Sequence, residues 1–291
     1  MTATLIPGKP VAEKIESGLK RASVEFETLT GRKPGLATIL VGNDPSSQRY
    51  IAIKQKKGQE LGFAGFHSQL DQDATTDDLL KVINSYNSND SIDAMLIQYP
   101  TPKQIDFDLC LSQVDPNKDA DGMHPLNMGK LALSIPGPIP CTPAAIEELL
   151  KYYDIPVAGK HVAILGRGLT LGRPLSLLLS QKRDSADAAV SILHSGYKNW
   201  PSITKIADIV VAAAGVPGIL KKDHVKEGSV VIGAGVRYEG KTLLSDVEED
   251  VSEVASFITP RVGGVGPMTV AMLYQNTINC AFSSKNGNRQ N

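Results

Sequence analysis

Apolar positions along the chain follow two patterns that take turns. Across 10–28, Val11, Ile15, Leu19 and Val24 recur among charged residues, the 3.6-residue period of an amphipathic helix. Leu36 to Val41 is instead an unbroken apolar run closed by Gly42, the mark of a strand covered on both faces. Asp44-Pro45 then reads as an N-cap with proline in the first turn, opening a helix that runs to about Leu61 and stops at Gly62. A helix over 76–87 and a buried strand over 94–97 follow. The second half repeats the alternation. Thr142-Pro143 opens a helix that ends before Ile155-Pro156, and apolar runs at 161–165, 189–193, 208–213 and 229–232 read as buried strands.

Strands separated by helical or looped stretches predict an α/β protein with parallel, doubly wound sheets. The proline-rich stretch 135–140 places a domain junction near 140. The expected division is a first domain of 1–140, joined by a last helix within 270–291, and a second domain of 141–269. That last helix is expected over 268–282, with the polar tail after it frayed.

Composition narrows the function classes. A chain of 291 residues suits two domains, and 42% hydrophobic with 21% charged residues is globular rather than disordered. Lys plus Arg is 30 against 31 for Asp plus Glu, so no positive excess exists to neutralise a nucleic-acid backbone. The longest weakly polar stretch, Ile209 to Leu220, falls short of the ~20 apolar residues that span a membrane. The opening MTATLIPGKP does not read as a signal peptide. Cys110, Cys141 and Cys280 are odd in number and dispersed, which points to a reducing cytoplasm. His67, His124, His161, His194 and His224 have no zinc-site spacing, so no metal is expected.

Three features carry candidate chemistry. Gly166-Arg167-Gly168-Leu169-Thr170-Leu171-Gly172 follows a strand and precedes a helix, where glycines let a pyrophosphate approach the helix N-terminus. The spacing is GxGxxxG, and a plain strand-to-helix turn is the alternative. An NAD site usually carries Asp or Glu at the end of the next strand, whereas that strand ends here in His194-Ser195. With Arg167, Arg173 and Lys198 nearby in sequence, NADP is expected over NAD, unless these cations are only solvated surface charge. Second, Ser47, Tyr50 and Lys54 share one helix face at i, i+3 and i+7. Lysine and tyrosine one turn apart can act as an acid/base pair, but Lys56 and Lys57 lie alongside, and spacing alone favours a solvated face. Third, Gln98 ends strand 94–97, a plausible ligand contact, and Asp121 lies in the loop PNKDADGMHPLNMG. Asn117, Asp119, Asp121 and Gly122 imitate the start of a calcium loop, but Met128 stands where its bidentate Glu should fall. Asp115 and Asp119 read as turn-formers.

The segments VGNDPSSQRYIAIK, DPNKDADGMHPLNMGKL, PCTP, GRGLTLGRP and VGGVGPMTVAMLYQNT occur in this order. In them the chain, from about residue 8 to 282, resembles the bifunctional methylenetetrahydrofolate dehydrogenase/methenyltetrahydrofolate cyclohydrolase family. The resemblance implies an N-terminal α/β catalytic domain and a C-terminal Rossmann-like NADP domain. It implies NADP-dependent oxidation of 5,10-methylenetetrahydrofolate, then hydrolysis to 10-formyltetrahydrofolate, both in one cleft between the domains, in one-carbon metabolism supplying purine synthesis. A homodimer through the second domain is implied as well. By the same match Lys54 is the catalytic lysine, Gln98 its glutamine partner, Tyr50 a residue lining the folate cleft and Asp121 the pterin anchor. Ser47, Gly264 and Pro267 fall on the substrate side. Gly166, Arg167, Gly168, Gly172, Ser195 and Val236 fall on the cofactor side. A dehydrogenase of the same architecture lacking the hydrolase is the competing reading.

The sequence also departs from that family's pattern. Gly168 replaces a usual serine, removing a hydroxyl donor near the cofactor phosphates. Gly233-Ala234 replaces Asp-Val, and Arg261-Val262 replaces Val-Pro. Tyr99 and Thr101 stand where leucines are common, and a few extra residues lie within 181–188. None of these removes the Lys54, Gln98 and Asp121 set.

Overall fold

The computed structural model describes residues 2–239 and 242–287. The chain begins with β1 (Thr4–Leu5) and α1 (Lys9–Thr30), then β2 (Gly35–Val41), α2 (Pro45–Leu61), β3 (Ala64–Leu70), α3 (Thr76–Asn87) and β4 (Ala94–Ile97). α4 (Phe107–Ser112), α5 (Pro125–Ala132) and α6 (Cys141–Tyr152) come next. β5 (His161–Leu165), α7 (Gly172–Leu179), β6 (Ala189–Leu193), α8 (Trp200–Thr204), β7 (Ile209–Ala212) and β8 (Val230–Gly233) form the second alternation. β9 (Val236–Glu239), β10 (Thr242–Ser245), β11 (Phe257–Ile258) and α9 (Gly266–Gly287) end it.

Two compact units result. The first gathers Lys14–Cys141 with the chain from Val270 onward; the second gathers the N-terminal segment through Glu13 with Thr142–Thr269. The sequence reading placed 1–13 in the first domain, and the structure corrects this. β1 pairs in parallel with β11 (Thr4↔Phe257, Leu5↔Ile258), so the N-terminal segment belongs to the second sheet. Two backbone-bonded residues on a sheet edge carry no hydrophobic period, so the pairing left no local signal.

In the first unit β3, β2 and β4 lie side by side, all parallel. β2 is buried along its whole length, as its unbroken apolar run requires. α2 begins where the Asp44 carboxylate accepts the Ser47 N–H at 2.8 Å and ends at Gly62, whose φ of +84° needs glycine. α3 is fixed by a Thr75/Asp78 capping box. Its Leu79 and Ile83 meet Ile39, Ile92, Met95 and Cys110 in the core. At the amino edge of this sheet the buried Asp93 takes a bidentate bond from Arg32, 2.7 Å on each oxygen, and one from the Gly35 N–H.

In the second unit the strands run β1-β11-β8-β7-β5-β6, every pairing parallel. From β5 onward this is a doubly wound sheet of order 2-1-3-4-5, with β11 as its fifth strand. Chain direction across the sheet reverses between β5 and β7, the topological switch point at which such sheets bind ligands. Ala163, Leu165, Val210, Ala212, Leu220 and Val231 fill its core.

Other differences have local causes. β3 went unrecognised because it is an edge strand with no fully buried position. α9 begins at Gly266 and continues to Gly287, past the expected end at 282. Of the tail expected to fray after 282, residues 283–287 continue the helix instead, and 288–291 lie outside the described residues. α6 begins one residue early, at Cys141.

Candidate active site

Parallel pairing brings the first unit's candidate residues to one edge. β2 and β4 pair with Ile39 opposite Ile97, so Gln98 leaves the sheet at its carboxyl end, and its N–H donates to the Ile39 carbonyl at 2.8 Å. The strand order β3-β2-β4 makes the gap between β2 and β4 a second switch point. The Asp121 loop continues the same layer. Met95 forms a parallel bridge with Asp119, and the Ala120 N–H donates to the Met95 carbonyl at 3.0 Å. Asp121 follows two residues after that bridge, on the carboxyl side of the pairing.

α2 brings the lysine. Lys54 Nζ donates to Gln98 Oε1 at 3.0 Å. The amide cannot turn over freely, because Gln98 Nε2 donates to the Tyr99 carbonyl at 2.8 Å. Gln98 therefore presents its acceptor to the lysine and spends one donor on the backbone. Lys54 and Gln98 are both half-buried, reachable yet partly desolvated. Tyr50, one turn earlier, is 47% exposed and free to meet a ligand. Ser47 shares the expected face but is buried; its N–H is held by Asp44. The face is thus not uniformly solvated, as spacing alone would favour.

Asp121 is half-buried at the rim of a tightly built loop. Asp119 is more than a turn-former: it is buried, and its Oδ2 accepts the His124 N–H at 2.8 Å and Asn127 Nδ2 at 2.9 Å. Burial pushes its carboxyl up from the ordinary range. Cys141 stands beside Asp121; its thiol is pushed well up by burial first and by the Asp121 charge second, so it stays protonated. The Cys141 thiol donates to the Ala120 carbonyl at 3.5 Å, which places it next to the residue before Asp121.

Sequence reasoning missed two residues of this neighbourhood, both on α9. The Tyr274 hydroxyl donates to the Lys54 carbonyl at 2.8 Å, and Asn276 Nδ2 donates to the Ala120 carbonyl at 2.9 Å. Both fall in the segment VGGVGPMTVAMLYQNT, but nothing local distinguishes them from other polar residues on a helix. Gly264 and Pro267 belong to the second unit, Gly264 buried and Pro267 exposed in the first turn of α9.

The second unit offers a nucleotide cradle. Gly166 leaves β5 with φ of +133°, and a Cβ there would overlap the Ala213 carbonyl of the loop after β7. A Cβ on Gly172 would likewise overlap the Gly166 carbonyl. These two glycines let the β5 turn, the β7 loop and the start of α7 approach as closely as they do. Gly168 differs: a Cβ there meets nothing within 4 Å, so the place where the family carries serine is open. Leu171, the N-cap of α7, supplies no side-chain cap, so no capping side chain claims the donors of that first turn. Arg167, Arg173, Ser195 and Lys198 are exposed around this edge, and Val236 is 45% exposed at the start of β9. Asp246 holds the β7 loop by accepting the Ala214 and Gly215 N–H groups at 2.6 and 2.8 Å. The glycine cradle, uncapped helix and exposed cations fit a phosphorylated dinucleotide.

Comparison with known proteins agrees with both halves. Residues 6–121 match the family model "Tetrahydrofolate dehydrogenase/cyclohydrolase, catalytic domain" and residues 140–285 its NAD(P)-binding domain. The chain is 50% identical over 279 residues to bifunctional protein FolD 1 of Salinispora tropica, covering 96% of this chain and 91% of that protein. It is 50% identical over 282 residues to bifunctional protein FolD of Syntrophotalea carbinolica, covering 97% of each. Among solved structures, FolD of Campylobacter jejuni superposes with a TM-score of 0.92 at 38% identity, over 97% of this chain and 99% of that one. The Trypanosoma brucei methylenetetrahydrofolate dehydrogenase-cyclohydrolase, complexed with NADP and an inhibitor, gives 0.91 at 34%, over 98% and 99%.

Proposed function

The chain belongs to the tetrahydrofolate dehydrogenase/cyclohydrolase family, and we propose that Lys54, Gln98, Tyr50 and Asp121 carry its folate chemistry. The enzyme oxidises 5,10-methylenetetrahydrofolate with NADP to the 5,10-methenyl cation and hydrolyses that cation to 10-formyltetrahydrofolate. The Lys54–Gln98 hydrogen bond at the sheet's switch point is the observation that carries the assignment of the hydrolytic pair.

The two steps ask different things of the protein. Hydride loss from the methylene carbon leaves a cation shared between two nitrogens, so that step is mainly one of positioning. NADP, when bound, supplies the hydride acceptor; Gly166, Arg167, Gly168, Gly172, Ser195 and Val236 are the residues that would hold it. Tyr50, exposed on α2, lines the folate in the first unit. Asp121 accepts paired N–H donors of the pterin ring, a match for the two oxygens of a carboxylate.

Hydrolysis adds water to the cationic carbon, releases one proton, and breaks one of the two C–N bonds. The Lys54 nitrogen, held by Gln98, is assigned as the proton carrier between the attacking water and the departing nitrogen. The amine takes the proton from the attacking water, and the resulting ammonium returns one to the departing nitrogen. Gln98 orients the Lys54 nitrogen without adding charge. A spectroscopic assay tests the whole reading: methenyl absorbance forms on addition of NADP and then decays. Formation without decay above the uncatalysed rate would leave a dehydrogenase alone.

The setting we propose is cytoplasmic, with the product supplying purine synthesis. Three free, buried cysteines support a reducing compartment. Among the described residues no helix is long and apolar enough to cross a membrane. A homodimer through the second unit is supported by β6, an edge strand that leaves Ile192 39% exposed. Net charge of -1 supports small anionic ligands met by local cations, not nucleic acid.

A further inference from the structure

Asn276 is 5% exposed on α9, and its side-chain amide is spent on backbone far away in sequence. Nδ2 donates to the Ala120 carbonyl at 2.9 Å and to the Ile139 carbonyl at 2.8 Å. Both hydrogens of that nitrogen are consumed. The Cys141 thiol donates to the same Ala120 carbonyl at 3.5 Å, and Asn276 Nδ2 lies 3.8 Å from its sulfur. On its other side the Ala120 N–H is held by the Met95 carbonyl. Ala120, the residue before Asp121, is therefore held at both its carbonyl and its N–H.

The far side of Asp121 is as closely set. Gly122 has φ of +69°, and a Cβ there would come within 2.5 Å of the Ile139 carbonyl carbon and 2.6 Å of the Pro140 nitrogen. Segments 120–122 and 139–141 thus touch backbone to backbone, and Asn276 ties one carbonyl from each.

We propose that Asn276 is a positioning residue for Asp121, fixing where its carboxylate stands by locking the Ala120 and Ile139 carbonyls together, with Cys141 as a weaker second donor. The inference rests on the reading of Asp121 as the pterin anchor. A purely structural role for Asn276 would lower stability and leave the folate site's selectivity untouched. Positioning makes a different demand: the effect of Asn276 must pass through Asp121.

A double-mutant cycle on the full-length enzyme separates the two. Asn276→Leu keeps a similar shape and removes both donors; Cys141→Ala removes only the thiol. The Michaelis constants for 5,10-methylenetetrahydrofolate and for NADP are measured for each, alone and combined with Asp121→Ala. Asn276→Leu is expected to raise the folate constant about tenfold, the scale on which small misplacements of a binding group act. The NADP constant should move less than about twofold. Cys141→Ala should raise the folate constant about threefold, as befits a weak donor. In the Asp121→Ala background both effects should fall below about twofold. Equal effects in the two backgrounds, or none in the wild type, overturn the proposal. Should Asn276→Leu fail to fold, Cys141→Ala decides by the same comparison. If Asp121→Ala alone leaves the folate constant unchanged, the anchor reading falls; if it raises the constant and the cycle is additive, only the positioning role falls.

Discussion

Replacing Gly166 by alanine tests whether the nucleotide cradle depends on close backbone approach. The new methyl carbon would stand 2.7 Å from the Ala213 carbonyl carbon and nearer still to its oxygen. Ordinary contact between such atoms is about 3.5–4.0 Å, so the β5 turn and β7 loop must part by about 1 Å. They are tied at their roots: Gly166 N–H donates to the Leu193 carbonyl and Ala213 N–H to the Leu165 carbonyl, each at 2.8 Å. Overpacking of this kind costs about 1–3 kcal/mol. The φ of +133° adds about 1–3 kcal/mol for any residue with a Cβ. A total of about 2–6 kcal/mol corresponds to a fall in Tm of about 6–18 °C, at roughly 3 °C per kcal/mol. NADP affinity, measured by calorimetry on protein still folded, should fall at least about tenfold, since 1 Å errors of placement are costly. Gly168→Ser is the control at the open position two residues on. It should leave Tm within about 2 °C and tighten NADP binding up to about tenfold, the worth of one added hydrogen bond. Unchanged Tm and NADP binding in Gly166→Ala would refute the cradle; a destabilised Gly168→Ser would refute the claim of open space.

Other variants separate chemistry from scaffold. Lys54→Met should lower cyclohydrolase kcat about 100-fold or more, the usual range for a lost acid/base group, followed by methenyl absorbance decay; wild-type decay would end its assigned role. Asp93→Ala removes the acceptor of Arg32 and Gly35 at the sheet's amino edge, away from Gln98, and should cost about 3 kcal/mol by urea unfolding while kcat/KM holds within about twofold. Burial pushes the Glu147 carboxyl up, but Arg183, Ser185 and Lys151 outweigh it and hold the group below its ordinary 4.5. Its contribution is therefore present above about 4.5 and lost as pH falls through the lower folded-state value. Urea midpoints of wild type and Glu147→Gln should differ at pH 7 and converge toward pH 3; a constant difference would show that the carboxyl's titration is not the cause.

Much of the fold was legible because its signals are local. An apolar run six residues long marked β2, Asp44-Pro45 and Gly62 bracketed α2, and Gly166 to Gly172 marked the turn after β5. The candidate site was legible in part. Tyr50, Lys54, Gln98 and Asp121 came from positions on elements and from family motifs, yet spacing alone left the lysine face looking solvated. The structure answers that with the Lys54–Gln98 hydrogen bond, between residues 44 apart in sequence.

By itself the sequence determined most of the longer elements, the doubly wound α/β class, the family and the candidate side chains. Each of those follows from period, turn chemistry or motif within a few residues of the position concerned. Only the tertiary structure decided how they are held. It moved the N-terminal segment to the edge of the second sheet through β1, and it gave Asp119 a buried organising role. It also assigned Tyr274 to the Lys54 carbonyl and Asn276 to the Ala120 carbonyl, 220 and 156 positions away. The physical reason is that a parallel sheet joins strands only through crossovers, so neighbours in space are distant in sequence and their hydrogen bonds leave no local trace.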